Sequence, residues 1–165
     1  MQIINRIVRF FQMVFSGVVL GLSINLARNQ YYGKVPSQTS YAAFTGALGI
    51  IAGIIGFVAL IFSGLGEMVS IVVDGVTSAA LLIGGIVYAV ALRGTNCNDT
   101  STDGNTWDNP LISGGCYTDD DGKHCFDKYV VHSRCVRAQT DCAFMFITCL
   151  VCLGAIATSI IARRR

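Results

Sequence analysis

Residues 41–66 read YAAFTGALGIIAGIIGFVALIFSGLG, a long apolar stretch that contains no Asp, Glu, Lys or Arg. A helix of about 20 apolar residues is long enough to cross the hydrocarbon core of a bilayer, which is roughly 30 Å thick. A backbone surrounded by lipid must satisfy its hydrogen bonds internally, and a helix does so within one segment. The stretch therefore predicts a transmembrane helix.

Three more apolar runs of similar length lie outside this stretch. They cover residues 10–27, 68–92 and 142–162, and the one charged residue within them is Asp74. The chain of 165 residues is 53% hydrophobic and 13% charged, with a mean hydropathy of +0.58. This composition is atypical of a water-soluble domain or a disordered chain. We predict an all-α membrane protein in which residues 1–165 form one domain, a bundle of four transmembrane helices.

Basic residues are distributed unevenly between the two sides of the predicted bundle. Four spans place both termini on one side, where five arginines lie close to the membrane: Arg6, Arg9, Arg163, Arg164 and Arg165. On the other side, the basic residues of segment 93–141 are diluted by eight Asp residues. Because basic residues favour the cytosolic side, we expect both termini in the cytosol and residues 93–141 as an exoplasmic loop.

The predicted exoplasmic loop contains four cysteines, Cys97, Cys116, Cys125 and Cys135. An even number of cysteines on an oxidising side of the membrane is typical of disulfides, and four cysteines allow three pairings. We favour Cys97 with Cys135, because each lies a few residues from a membrane helix. Cys116 with Cys125 would then close a short inner loop.

Besides a purely structural role, the sequence of this loop suggests two other possible features, a metal site and a glycosylation site. His124 and His132 interleave with the cysteines, which raises the alternative of a zinc site, but their spacing fits no familiar ligand pattern. We expect no metal and no cofactor. Asn98-Asp99-Thr100 is a glycosylation sequon, yet its closeness to the membrane and to a disulfide leads us to expect an unmodified Asn98.

The fourth span contains three further cysteines, Cys142, Cys149 and Cys152, of which the last two form a CxxC motif. Thiols in a membrane helix usually act as small packing residues. The alternative is a redox pair supplied by a quinone. Both thiols would lie roughly 12 to 16 Å inside the membrane boundary, which is too deep for exchange with the loop cysteines.

Small residues repeat along the second span. Gly46, Gly49, Gly53 and Gly56 are spaced by three and four positions, which places them on one helix face. Such a face allows another backbone or a lipid to approach closely. Packing within the bundle is the simpler interpretation, and a seam for an oligomer or for lipid is the alternative.

Asp74 lies inside the third span, where a carboxylate costs several kcal/mol unless it is paired or protonated. We therefore expect it to face the bundle interior. Arg9, Gln12, and either Thr158 or Ser159 lie at a similar depth and could satisfy it. Since the predicted spans contain no second acid, we favour a structural pair over a proton or ion site.

At these residues the sequence resembles a known group, the fungal MARVEL-domain tetraspans typified by the non-classical export protein. The likeness covers all four spans, and its most specific positions are Asp74, Arg93, Cys97, Arg134-Cys135 and Ala138-Gln139. The resemblance implies a plasma-membrane protein of furrow-like eisosome domains that responds to sphingolipid. It also supports the pairing of Cys97 with Cys135. We expect Asp74 and Arg93 to be buried polar residues.

The predicted function is a non-enzymatic tetraspan that organises plasma-membrane microdomains and binds sphingolipid or sterol. Anionic lipid is a further expected partner, at Arg163, Arg164 and Arg165. A homo-oligomer and eisosome proteins are also considered as partners, whereas a net charge of +2 is too small to indicate nucleic acid. A small transporter or oligomeric pore is the alternative, although the two halves share no visible repeat. A quinone-linked membrane thiol oxidoreductase comes third.

Overall fold

The structure is a computed structural model that describes residues 2–59, 65–98, 105–119 and 122–163. Four long helices dominate it: α1 (Gln2–Arg28), α2 (Ser37–Ala59), α3 (Leu65–Ala91) and α6 (Lys128–Arg163). Short elements lie between α3 and α6: α4 (Asn105–Asp108), α5 (Pro110–Ser113), β1 (Tyr117–Asp119) and β2 (Gly122–His124). All four long helices are long and apolar enough to cross a membrane, which confirms the predicted fold class.

The four long helices form a ring. Helices α1 and α3 each pack against both α2 and α6, so α1 and α3 face each other across the centre of the bundle. Both chain ends lie at one end of the bundle, where Thr158 Oγ1 lies 3.4 Å from Asn5 Oδ1. We call this the terminal end. The opposite end is covered by the cap, which consists of the described residues between 92 and 127.

The bundle is more polar inside than on its lipid-facing perimeter. Large apolar side chains such as Val72, Val76 and Val90 are exposed on α3. In contrast, one face of α1 carries a row of buried polar side chains: Asn5, Arg9, Gln12, Ser16 and Ser23. In lipid, moving an apolar side chain into the bundle interior gains no hydrophobic free energy. Close packing and interhelical hydrogen bonds therefore hold membrane helices together.

The N-terminal part of α6 corrects one prediction. The loop predicted over residues 93–141 ends too late, because α6 begins at Lys128 and residues 128–141 are helical. Val131, Cys135, Ala138 and Cys142 recur every three or four positions in this segment and are buried, which is the pattern of a packed helix face. The predicted span 41–66 runs past the end of α2 at Ala59 and through residues 60–64, which lie outside the described part. Its last two residues belong to α3, which begins at Leu65.

The cap is held together by two disulfides. Cys116–Cys125 brackets the two-stranded antiparallel sheet, in which Tyr117 pairs with His124. Cys97–Cys135 ties the chain after α3 to the second turn of α6. The cap also meets the α1–α2 connection, because the backbone N–H groups of Tyr31 and Tyr32 donate to Gly114 O at 2.9 and 3.1 Å. Both predicted disulfides are confirmed.

Candidate functional site

The half of the bundle nearest the terminal end contains a buried ion pair. Arg9 Nη1 lies 2.5 Å from Asp74 Oδ2, and both side chains are almost fully buried. Gln12 Nε2 donates to the other carboxylate oxygen at 2.9 Å. Arg9 donates further to Gln12 Oε1 at 2.9 Å and to Ser70 Oγ at 2.7 Å. The Asp74 charge is therefore neutralised by a cation that is itself held by several acceptors.

The glycine face of α2 makes room for this pair. A Cβ at Gly56 would collide with the Arg9 guanidinium, and a Cβ at Gly46 would lie 2.7 Å from the backbone nitrogen of Leu20. Gly49 and Gly53 face Ser16 and Met13 of α1 in the same way. All four glycines thus contact α1 within the chain, and α1 can approach closely enough to bury its polar row.

Three expectations about polar residues need correction. Arg93 was expected to be buried but is exposed, because α3 ends at Ala91 and Arg93 lies in the turn that follows. Thr158 was a candidate partner of Asp74, yet its hydroxyl bonds to Asn5 Oδ1 and Ala155 O. Ser159 is buried, but no hydrogen bond joins it to Asp74 among the described residues. The Asp74 carboxylate instead contacts side chains of α1 and Ser70 of its own helix.

A second buried arginine lies under the cap and was not predicted to have this role. Arg134 is 2% exposed and donates to backbone carbonyls at the C-terminal ends of α1 and α5. Its acceptors include Leu26 O at 3.3 Å, Asn29 O at 2.6 Å and Ile112 O at 2.9 Å. The last carbonyls of a helix lack partners within the helix and attract cations. Arg134 therefore joins α1, α5 and α6 at one point.

Sequence reasoning also missed a second buried acid, Asp141. The predicted loop ends at this residue, whereas the structure places it well inside α6, where it is 0% exposed. Its Oδ2 accepts a hydrogen bond from Ser23 Oγ at 2.7 Å. Its Oδ1 has no hydrogen-bond partner in the described part of the chain. The helical spacing of buried residues from Val131 onward is the signal that could have located it.

A groove opens at the cap end between α2 and α3. Its outer part, about 420 Å³, is lined by residues of both helices and of the cap: Pro36, Gln38, Ala91, Asp108, Asn109, Pro110 and Leu111. Its inner part, about 300 Å³, is lined by Ser37, Gln38, Tyr41, Ile83 and Val87. Gln38 belongs to both parts, so they adjoin. These volumes lie at the low end of the range of small-molecule sites, roughly 300 to 1,000 Å³.

The side chain of Tyr41 crosses from α2 to α3 at the inner end of this groove. Its hydroxyl donates to Ala80 O at 3.3 Å, and a Cβ at Gly84 would lie 2.9 Å from its ring. Gly84 thus allows the ring to lie against α3. The groove is therefore apolar at the depth of Tyr41, Ile83 and Val87, and it has amide and carboxylate groups at its outer rim.

Comparison with known families decides what kind of protein carries this bundle. Residues 2–158 match the family described as MARVEL, a membrane-associating domain. The chain belongs to the MARVEL family. It is accordingly a membrane-associated tetraspan protein with four apolar helices. No curated protein and no solved structure matches the chain.

The thiols of the fourth span are buried within this MARVEL bundle. Cys142, Cys149 and Cys152 are free. Cys149 Sγ lies 3.2 Å from Ser78 Oγ, and Cys142 Sγ lies 3.5 Å from Gly85 O. These contacts join α6 to α3, as expected of small packing residues.

The two histidines of this MARVEL protein are His124 in the cap and His132 in α6. His132 Nδ1 contacts Cys97 O at 2.6 Å, and His124 stacks on Tyr117. Within residues 2–59, 65–98, 105–119 and 122–163, no group of three His, Cys, Asp or Glu residues is placed to hold a metal ion.

Two sequence predictions fall wholly or partly beyond the described residues. Arg164 and Arg165 lie outside them, and the side chain of Arg163 is not described, so the predicted contact with anionic lipid stays a prediction. The sequon that begins at Asn98 continues into undescribed positions, and its occupancy also stays a prediction.

Proposed function

We propose that this MARVEL protein is a non-enzymatic tetraspan that organises plasma-membrane microdomains by binding sphingolipid or sterol. The proposal places it beside the fungal export-protein group that its sequence resembles. The single observation that supports it is the groove between α2 and α3. This groove is open at the cap, where Gln38 and Asn109 are among otherwise mainly apolar lining residues, and its inner part also has mainly apolar walls.

The groove matches the chemistry of a lipid that carries hydrogen-bond donors on its headgroup. The amide of Gln38 supplies an oxygen acceptor at the rim. The hydroxyl group of a sterol, or the hydroxyl or amide N–H of a sphingolipid, would be its donor. Below the rim, Tyr41, Ile83 and Val87 present an apolar wall to rings or to an acyl chain.

The dimensions of the groove fit a lipid that enters from one leaflet. From Ala91 at the rim to Ile83 at the inner end, α3 advances about 12 Å, at 1.5 Å per residue. This depth is less than half of a hydrocarbon core of roughly 30 Å. With both termini in the cytosol, as proposed from the distribution of arginines, the bound lipid would belong to the exoplasmic leaflet.

A bulky side chain in the groove tests the proposal. Val87→Trp places an indole where the lipid would lie, whereas Val76→Trp changes a residue on the same helix, 62% exposed, that does not line the groove. We expect Val87→Trp to lower co-purified sterol and sphingolipid about tenfold, which corresponds to about 1.4 kcal/mol of affinity. The same variant should lose its clustering in the plasma membrane.

The matched variant separates groove filling from a general effect of added bulk. Val76→Trp should retain both the co-purified lipid and the clusters. Equal lipid content in the two folded variants would contradict the proposal. Loss of lipid with clustering intact would separate lipid binding from microdomain organisation and contradict the link between them.

A further inference from the structure

Asp141 is a buried acid without the partners that a buried carboxylate requires. It lies on α6, in the half of the bundle below the cap, and is 0% exposed. The hydroxyl of Ser23 on α1 is its one hydrogen-bond partner within the described residues, at 2.7 Å from Oδ2. The second oxygen, Oδ1, is buried without a partner.

The nearby cations are engaged elsewhere. Arg134, two turns earlier on α6, directs its N–H groups to carbonyl oxygens of the helix ends and to Gln30 Oε1. Arg137 is exposed and donates to Asn25 Oδ1 at 2.6 Å. The ion pair found among the described residues joins Arg9 to Asp74, at the other end of the bundle. Asp141 therefore has no counter-ion in this part of the chain.

The remaining groups around Asp141 are weak acids and hydroxyls. From α3, the phenol of Tyr88 interacts electrostatically with Asp141. On α6 itself the neighbour is the thiol of Cys142. Helix α2 contributes Thr39, which contacts the phenol and is uncharged. A negative charge on Asp141 would thus be surrounded by groups that cannot neutralise it.

The energetic balance favours a neutral side chain. An isolated ionised carboxylate in a low-dielectric interior is so costly that the group takes up a proton instead. A bound proton removes the charge and gives the carboxyl group an O–H donor. We propose that Asp141 is a proton-binding site of the cap half, occupied at neutral pH in the folded protein. On ionisation, the proton would pass to water that enters beneath the cap.

This assignment gives the cap a second role. Asp141 shares α6 with Arg134 and Cys135, which hold that helix to α1, to α5 and to the chain after α3. Opening of these contacts is the route by which we expect water to reach Asp141 from the cap side. Proton release would therefore be coupled to loosening of the cap. The inference does not depend on lipid binding in the α2–α3 groove.

Infrared spectroscopy of the full chain in lipid nanodiscs tests the proposal. A protonated carboxyl group has a C=O stretch separate from that of a carboxylate, and exchange into D2O shifts it. We expect one such band at neutral pH, lost in Asp141→Asn and retained when Asp74→Asn is combined with Arg9→Met. Ser23→Ala keeps the acid but removes its hydroxyl partner, and should shift the band without abolishing it.

Each contrary result would overturn the proposal. A wild-type protein without the band has an ionised Asp141, and a band that survives in Asp141→Asn belongs to another acid. A band that does not move in Ser23→Ala is likewise not that of Asp141. If the band is missing and Na⁺ or K⁺ raises the melting temperature of the wild type but not of Asp141→Asn, the site binds a metal cation rather than a proton.

Discussion

Asp74 and Asp141 are two acids of one bundle, equally buried, with opposite surroundings. Asp74 forms an ion pair with Arg9 and accepts hydrogen bonds from Gln12 and Ser70. Within the described residues, Asp141 accepts one hydrogen bond, from the hydroxyl of Ser23. The comparison teaches that burial alone does not set the role of an acid inside the helix bundle. The number and charge of its partners decide whether it ties helices together or remains available for a ligand.

The same contrast separates the two halves of the molecule. In the terminal half, the glycine face of α2 lets α1 approach. The ion pair is joined there by hydrogen bonds from Arg9 to Gln12 and Ser70, and Arg9 Nε is the one atom of the pair buried without a hydrogen-bond partner among the described residues. In the cap half, Asp141 has no counter-ion and its Oδ1 has no hydrogen-bond partner within the described residues, and a groove opens between α2 and α3. We infer that the terminal half mainly stabilises the bundle and that the cap half binds ligands.

The largest expected effect comes from breaking the paired acid. Asp74→Leu leaves the Arg9 cation buried and unneutralised, and we expect a loss of about 3 to 5 kcal/mol in the free energy of unfolding. Denaturant unfolding in mixed micelles, followed by helical circular dichroism, measures it. The double variant Arg9→Met with Asp74→Leu removes both charges and should recover most of the loss. A double variant as unstable as Asp74→Leu would show that the pair is not the cause.

An intermediate loss of stability is expected at Arg134, whose guanidinium donates to carbonyl oxygens rather than to a carboxylate. Arg134→Met removes charge-assisted hydrogen bonds worth about 1.5 to 3 kcal/mol. Because its acceptors lie on separate segments, the planar guanidinium is needed, and Arg134→Lys should restore only part of the stability. Protease cleavage within residues 92–127 should rise in both variants. Full rescue by lysine would mean that charge alone matters at this position.

The smallest effect is expected at the unpaired acid. Asn resembles a neutral Asp in shape and in charge, so Asp141→Asn should change the free energy of unfolding by about 1 kcal/mol or less. Asp74→Asn, measured beside it, should cost several times more because it leaves the Arg9 charge uncompensated. Equal losses in the two variants would remove the contrast on which this interpretation rests.

The sequence predicts the frame of this molecule well, for clear physical reasons. Hydropathy identifies four spans because lipid restricts their composition, and helix periodicity places Gly46 to Gly56 on one face. The depth of Arg9 and Gln12 in α1 selects them as partners of Asp74. The disulfide pairing follows from which cysteines lie beside membrane helices.

The cap half could be predicted less well. Residues 128–141 are polar enough to resemble a loop in the sequence. They belong to α6 because one of their faces packs against neighbouring helices, and the sequence alone does not identify those neighbours. Asp141 was therefore missed as a membrane acid. The role of Arg134 depends on two helix ends meeting in space, which no spacing along the chain reveals. The expectation that Arg93 is buried is wrong, because closeness to a span along the chain does not specify the direction of a side chain in the turn that follows.

The central claim is that the groove in the cap half binds lipid, and photo-crosslinking tests it most directly. A photoactivatable sterol and a photoactivatable sphingolipid would be incorporated into membranes that contain the wild-type chain, and the adducts mapped by mass spectrometry. We predict adducts concentrated at Gln38–Tyr41 and Ile83–Val87, and their loss in Val87→Trp but not in Val76→Trp. Adducts spread evenly around the apolar perimeter, unchanged by Val87→Trp, would contradict the account.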